Sequence, residues 1–222
     1  RTELFWPVIQ KIEELSGKKY DDGEDIKRSM RIIADHIKAA VFIIADGVEP
    51  SNVQRGYVLR RLIRRAVRQG HLLGISNNFT SDIAKVVQDI YKEVYPEVLQ
   101  ENILEVLTGE ENKFRQTLVK GLHEFNKIIE EGAYWPESGE KIKLNKLLPG
   151  FIVFRLYSTY GFPIELIQEI ATERNILIDE EGFKKETEKH QELSRTASAG
   201  MFKGGLADTL EKTTQLHTAT HL

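Results

Sequence analysis

Apolar residues recur at three- and four-residue spacing along most of the chain, the period of an amphipathic helix. Ile26, Met30, Ile33, Ile37, Val41 and Ile44 mark one stripe and predict a helix over 25–45. A shorter pattern of the same period covers 3–16 and is stopped by Gly17. The run Asp46-Gly47-Val48-Glu49-Pro50-Ser51-Asn52 is turn chemistry. A third helix is expected from about 53 to 71, ending near Gly70 and Gly74. Residues 78–95 predict a helix up to Pro96, and 97–131 one long helix or a pair, interrupted around Gly109 or Gly121. Gly132 to Gly150 is loop-rich. Helices follow at 151–160 and 164–174, separated by the turn Gly161-Phe162-Pro163, and a highly charged helix at 179–195. Thr196 to Asp208 is rich in Gly, Ala, Ser and Lys and reads as a linker, with a new helix opening at Leu210. The expected fold class is all-α, a multi-helix bundle in two helical subdomains (23–135 and 136–195) with a C-terminal linker at 196–209.

Composition narrows the class further. A chain of 222 residues with 41% hydrophobic and 29% charged residues is not disordered, collagen-like or a membrane bundle. No uncharged run approaches the roughly 18–20 residues of a spanning helix, so no membrane partner is expected. The absence of cysteine excludes a disulfide framework and thiolate chemistry, and fits a reducing compartment. The opening Arg1-Thr2-Glu3-Leu4 has no basic start before an apolar stretch, and a chain beginning at Arg1 reads as a piece of something longer. The net charge of −3 hides an asymmetry. Residues 1–75 hold 14 Lys and Arg against 10 Asp and Glu, whereas 76–222 hold 17 against 24. Within 55–68 there are six arginines and no acid.

On a helix, Arg60, Arg61, Arg64, Arg65 and Arg68 fall within an arc of about 140°, and Val58, Leu59, Leu62, Ile63, Ala66 and Val67 fall on the remaining arc. Like charges at i,i+4 destabilise an isolated helix by about 0.2–0.5 kcal/mol per pair, so something must offset them. Two readings stay open. The arginines, whose planar forks suit phosphate, grip a nucleic-acid backbone, with Arg55 at the start of the run. Alternatively they pair with acids on neighbouring helices in a structural scaffold. A third reading is metal chemistry. His217 and His221 stand at i,i+4, half of a zinc site, without the glutamate of a metalloprotease motif. Asp35-His36 lacks a nucleophile or a third partner, and is expected to be structural, with His36 hydrogen-bonded at the packing face and Asp35 pairing Arg31 or Arg60.

Three segments carry a resemblance. They are Ala34-Asp35-His36 through Asp46-Gly47-Val48-Glu49-Pro50-Ser51-Asn52 to Arg55-Gly56-Tyr57-Val58-Leu59-Arg60-Arg61; Phe154-Arg155-Leu156-Tyr157 with Thr159-Tyr160-Gly161-Phe162-Pro163; and His217-Thr218-Ala219-Thr220-His221-Leu222. In this order they resemble the alanyl-tRNA synthetase family, just after its class II catalytic core. The resemblance implies a helical tRNA-recognition region, with 1–22 as the tail of the catalytic domain and 210–222 as the start of an editing domain. It implies a cytoplasmic parent ligase using ATP and Mg²⁺ and carrying Zn²⁺, held in part by His217 and His221, while this piece alone holds no cofactor and is inactive. The implied partners are the upstream and downstream domains and the tRNA-Ala acceptor stem, whose G·U wobble pair the family reads. Asn52 matches one family reader. The second reader is an Asp in the family and Ser158 here, which exchanges a carboxylate for a neutral hydroxyl at a cost of about 1 kcal/mol. A nearby acid such as Glu165 is one candidate substitute. The residues expected at the RNA are Asn52, Arg55, Arg60, Arg61, Arg64, Arg65, Arg68 and Ser158.

Overall fold

The stripe over 25–45 becomes α2 (Glu24–Ala45), the centre of the molecule. Met30, Ile33, Ile37, Val41 and Ile44 are all buried, and Ala34 and Ala40 between them let neighbouring helices approach. Glu24 and Asp25 occupy its first turn, where negative charge favours the helix dipole. The computed structural model describes residues 4–134, 141–142 and 146–201. Before α2 lies α1 (Trp6–Ser16), which carries Pro7 in its first turn and is closed by Gly17 at φ 68°. After it come α3 (Gln54–Leu72), α4 (Thr80–Tyr91) and α5 (Asn102–Glu131), then α6 (Gly150–Tyr160), α7 (Ile164–Glu173) and α8 (Glu180–Met201). The all-α class is as expected.

α3 lies along α2 and buries Leu59, Ile63, Ala66 and Val67. Burying Leu59, Ile63 and Val67 contributes about 1.5–3 kcal/mol each, far more than the arginine repulsions remove. α4 crosses α1 and α2. Its N-terminus is held from α5 by the fully buried Glu111, whose carboxylate accepts from the Phe79 and Thr80 backbone N–H groups and the Thr80 hydroxyl, and pairs with Arg115 at 2.9 Å.

Several boundaries differ from the expected ones, each for a packing reason. The 97–131 region is a single unbroken helix from Asn102. Gly121 does not interrupt it; a Cβ there would come within 2.8 Å of the Phe162 ring, so the glycine admits that ring against α5. The end of α3 at Leu72, between Gly70 and Gly74, is as expected; Gly70 lies inside the helix, where Phe79 leaves no room for a side chain, and Gly74 follows at φ 88°. α8 continues to Met201, past the expected linker start at Thr196.

Short strand pairs stitch the interhelical segments. β1 (Ala133–Tyr134) pairs antiparallel with β2 (Lys141–Ile142). β3 (Leu147–Leu148) pairs in parallel with β4 (Leu177–Ile178), Leu147 opposite Leu177. Just beyond β4, Asp179 accepts from Gly150 N at the start of α6 and from Gly182 N at the start of α8, so one carboxylate ties two helix N-termini together. The apolar core runs without a break from α1 to α7, through both expected subdomains. Phe114 of α5 meets Phe162, between α6 and α7, with ring centroids 5.6 Å apart.

Candidate nucleic-acid interface

The segment Glu49–Val53 folds back on the first turn of α3. Ser51 N donates to Gly56 O at 3.1 Å, and Ser51 Oγ bonds the Val53 carbonyl at 3.0 Å. A Cβ on Gly56 would sit 2.2 Å from Ser51 Oγ and 2.5 Å from Glu49 O, so only glycine permits this return. Ser51 does the local work of the turn. Asn52 caps nothing: the N-cap residue is Val53, which makes no side-chain cap bond. Asn52 is exposed, and its Oδ1 accepts from Arg60, which also donates to Pro50 O at 3.2 Å. With its oxygen taken by Arg60, the carboxamide keeps its two N–H donors for another partner. Arg55 is exposed nearby, with no ion-pair partner among the described residues.

The rest of the arginine face is not the open cationic stripe that its spacing suggests. Arg61 pairs with Glu165 at 2.6 Å, Arg65 with Glu169 at 2.9 Å, and Arg68 donates to Glu173 Oε1 at 3.2 Å. These acids stand four residues apart on α7, and partner numbers rise together, so α3 and α7 run in the same direction, joined by a charge ladder. The long side chains hold the two helices apart around an open cavity of about 510 Å³. On the other flank, Arg64 reaches Glu110 of α5 at 2.6 Å and donates to the Gly161 carbonyl at the end of α6. Arg60 Nε lies 3.3 Å from the same Glu110 oxygen without the alignment of a hydrogen bond, and Arg68 Nε is also buried without a partner. Glu110 and Arg68 are each only 3% exposed, Arg61 and Arg65 each 36%. Arg68 is buried and Arg64, 12% exposed, is nearly so, each held against a carboxylate, whereas Arg61 and Arg65 are paired at the rim.

Glu165 is fully engaged as well. Tyr57 O–H donates to Oε2 at 2.7 Å while Arg61 holds Oε1. Burial works to raise its carboxyl pKa, but the Tyr57 hydroxyl and the Arg61 guanidinium outweigh that and hold it below the ordinary range. Burial and the same bond push the Tyr57 hydroxyl well up. A carboxylate so occupied is a poor stand-in for the acid missing at position 158. Ser158 itself is exposed on the last turns of α6, with no bonded partner among the described residues. That end of α6 docks beside α3: Arg64 bonds Gly161, and Tyr157 lies near enough to Tyr57 to add to its shift. No described contact joins Ser158 to Asn52 directly.

The expected partner of Asp35 is also revised. Asp35 Oδ2 lies 3.0 Å from His36 Nδ1 and makes no ion pair with Arg31 or Arg60 among the described residues, and His36 Nε2 is 3.2 Å from an Arg65 nitrogen. A neutral ring satisfies both contacts, donating at Nδ1 and accepting at Nε2. Burial lowers the pKa of His36 accordingly, against the pull of Asp35. His217 and His221 lie outside the described residues. Among the described residues no group of three or more His, Asp or Glu side chains is placed to hold a metal ion, and no helix is long and apolar enough to cross a membrane.

The glutamates that neutralise the arginines were the groups that sequence reasoning missed. Their signal was present: Glu165, Glu169 and Glu173 repeat at i,i+4 on a predicted helix, in register with Arg61, Arg65 and Arg68.

The chain is 47% identical over 225 residues to the alanine–tRNA ligase of Borreliella afzelii, covering all of this chain and 36% of that protein. It is 49% identical over 229 residues to that of Treponema denticola, again all of this chain and 36% of the relative. For the Pediococcus pentosaceus ligase the figures are 44% over 198 residues, 88% of this chain and 22% of the relative. The chain thus spans about a third, or less, of the proteins it resembles. The family model for class II tRNA synthetases (A) matches residues 1–221, and the chain belongs to that family.

Proposed function

We propose that this chain is the acceptor-stem recognition segment of an alanine–tRNA ligase. The parent protein attaches alanine to tRNA-Ala in the cytoplasm, using ATP and Mg²⁺ through an alanyl-adenylate. The segment supplies recognition rather than chemistry. His217 and His221 are zinc ligands of the parent. The observation that carries the reading is the state of Asn52: exposed beside the first turn of α3, its oxygen held by Arg60, with no hydrogen bond from its N–H groups among the described residues. So arranged, it offers donors to base acceptors in a groove, such as O4 of uracil or O6 and N7 of guanine. Arg55 meets a phosphate beside it. Arg60 orients the amide, Arg61 and Arg65 lend their remaining N–H groups from the rim, and Arg64 and Arg68 hold the helix that carries them. Ser158 faces the stem from α6.

The scaffold reading is favoured by one specific observation, the pairing of the little-exposed Arg64 and Arg68 with Glu110 and Glu173, and it applies to those two residues.

The test is binding of G·U and G·C acceptor-stem duplexes to the full-length protein. Asn52→Asp keeps an oxygen for Arg60 but has no N–H to offer. It is expected to reduce G·U preference by at least about 1 kcal/mol, roughly five-fold. Wild-type discrimination in that variant would remove Asn52 from the interface. Ser158→Asp restores a charged acceptor and is expected to sharpen discrimination by about 1 kcal/mol. Unchanged selectivity would place Ser158 away from the bases.

A further inference from the structure

If the arginines of α3 are largely neutralised, the phosphates of an acceptor stem need other cations. α5 carries them. Its buried face is formed by Ile103, Leu107, Phe114, Leu118, Phe125 and Ile128. Turning at 100° per residue, Lys113, Gln116, Lys120, His123 and Lys127 all fall on the opposite face, within about 80° of one another. All five are exposed, and none has an ion pair among the described residues. From Gly109 to Lys127 this face contains no acid. Glu105 bounds it at one end and Glu130 and Glu131 at the other. Glu124, on its flank, is already taken by Arg155 of α6.

The lysines stand seven residues apart, so successive ammonium groups are spaced by about 10.5 Å along the axis and the stripe is about 21 Å long. A nucleic-acid strand carries one phosphate for roughly each 3.4 Å of axial rise, so each lysine step spans about three phosphates. A flexible, strongly hydrated ammonium suits that kind of register-tolerant contact, where a fixed Arg–carboxylate fork does not. The stripe also begins in the right place. Lys113 and Pro50 line one cavity of about 310 Å³ with Glu49, Glu105 and Glu110, so the first lysine is the cation on an otherwise acidic rim beside the Asn52 turn. Beside its middle, Gly121 packs against Tyr160 and Phe162, at the end of the helix that carries Ser158.

We propose that the Lys113–Lys120–Lys127 face of α5 is a phosphate-backbone track for the RNA stem whose bases Asn52 meets. The proposal rests on the recognition reading above. The track is sequence-blind. It sets affinity and orientation, while the turn sets selectivity.

The experiment compares the full-length protein with its Lys113→Ala, Lys120→Ala, Lys127→Ala triple variant, titrating G·U and G·C duplexes between 50 and 200 mM salt. Each lost phosphate contact should remove about 0.9 from the slope of log affinity against log salt. Over that range the wild type should therefore lose about 40-fold more affinity than the variant. The discrimination ratio should not move, and the thermal midpoint of these exposed substitutions should stay in place. An unchanged slope, or a loss confined to one of the two duplexes, overturns the track. Charge reversal of the three lysines to Glu sets the scale, and binding unaffected by that reversal overturns it too. Failure here leaves the recognition reading standing if Asn52→Asp still alters selectivity. If the wild-type protein prefers neither duplex, the recognition reading fails first.

Discussion

Two helical faces of this molecule carry rows of cations, and they have opposite fates. On α3 the row is arginine, densely spaced, and answered by Glu110, Glu165, Glu169 and Glu173. On α5 it is lysine, spread one per two turns, and answered by nothing among the described residues. The difference shows that local density of positive charge is a poor guide to what a surface offers a ligand. A dense stripe carries i,i+4 repulsions that oppose the helix, a small cost beside its apolar burial but one that neighbouring acids can remove. Here it is relieved by acids on neighbouring elements and becomes part of the scaffold. A dilute stripe has no such cost and can stay open. Arginine's fork suits the first use and lysine's hydrated point charge the second.

The comparison breaks most clearly at Glu110. This carboxylate is nearly inaccessible and faces Arg60 and Arg64 together. Glu110→Ala leaves a buried guanidinium without its counter-charge, and removing one partner of such a pair costs about 3–5 kcal/mol. Chemical denaturation should show that loss in the midpoint. Lys120→Ala, the matching deletion on α5, should stay within about 0.5 kcal/mol. Equal losses at the two positions would erase the distinction between the faces.

A smaller effect separates the two cation chemistries within α3. Arg68 engages both oxygens of Glu173 through its two terminal nitrogens. Arg68→Lys keeps the charge but loses the fork and leaves space at a site only 3% exposed. Because Glu173 is 38% exposed and screened by water, the expected cost is about 1 kcal/mol rather than the full value of a buried charged bond. A stability equal to wild type would mean that charge alone matters at this position.

Much of the fold was legible in the sequence because it rests on period. The apolar positions of α2, the turn before α3 and the stop at Gly17 follow from spacing and backbone chemistry that one chain segment contains by itself. What was not legible depended on contacts between distant segments. Gly121 looks like a helix breaker until Phe162 is seen to occupy the space of its missing side chain, and the reason for a glycine at 70, the Phe79 ring, is equally hidden. The strand pairs β1–β2 and β3–β4 are two residues long on each side, too short for any alternating pattern. At the candidate site, residue types marked Asn52 and the arginines, but only tertiary structure tells which cations are spent. The α5 lysines were hidden because they are diluted in an acidic half of the chain, and their common face emerges only once 102–131 is one continuous helix.

The finest distinction within the α3 face concerns His36, which links α2 to the ladder through Arg65. The ring faces Asp35 on its own helix, Arg65 on α3 and, more distantly, Glu169 on α7. A proton added at Nε2 would point at the Arg65 guanidinium, turning an accepted hydrogen bond into a repulsion. The neutral ring is therefore the form the fold prefers, and its pKa lies below the ordinary histidine value. The unfolded chain then binds the extra proton more readily than the folded one. Stability from this contact is present above the unfolded histidine pKa of about 6.5 and is lost as pH falls through it toward the folded value. Thermal midpoints measured from pH 7.5 down to 5.5 should fall in the wild type and fall less in His36→Gln, which keeps a donor and an acceptor but cannot titrate. The lysine face should take no part: Lys120→Ala should reproduce the wild-type pH profile. Identical slopes in wild type and His36→Gln would detach the histidine from the ladder and leave Glu169 alone to hold Arg65.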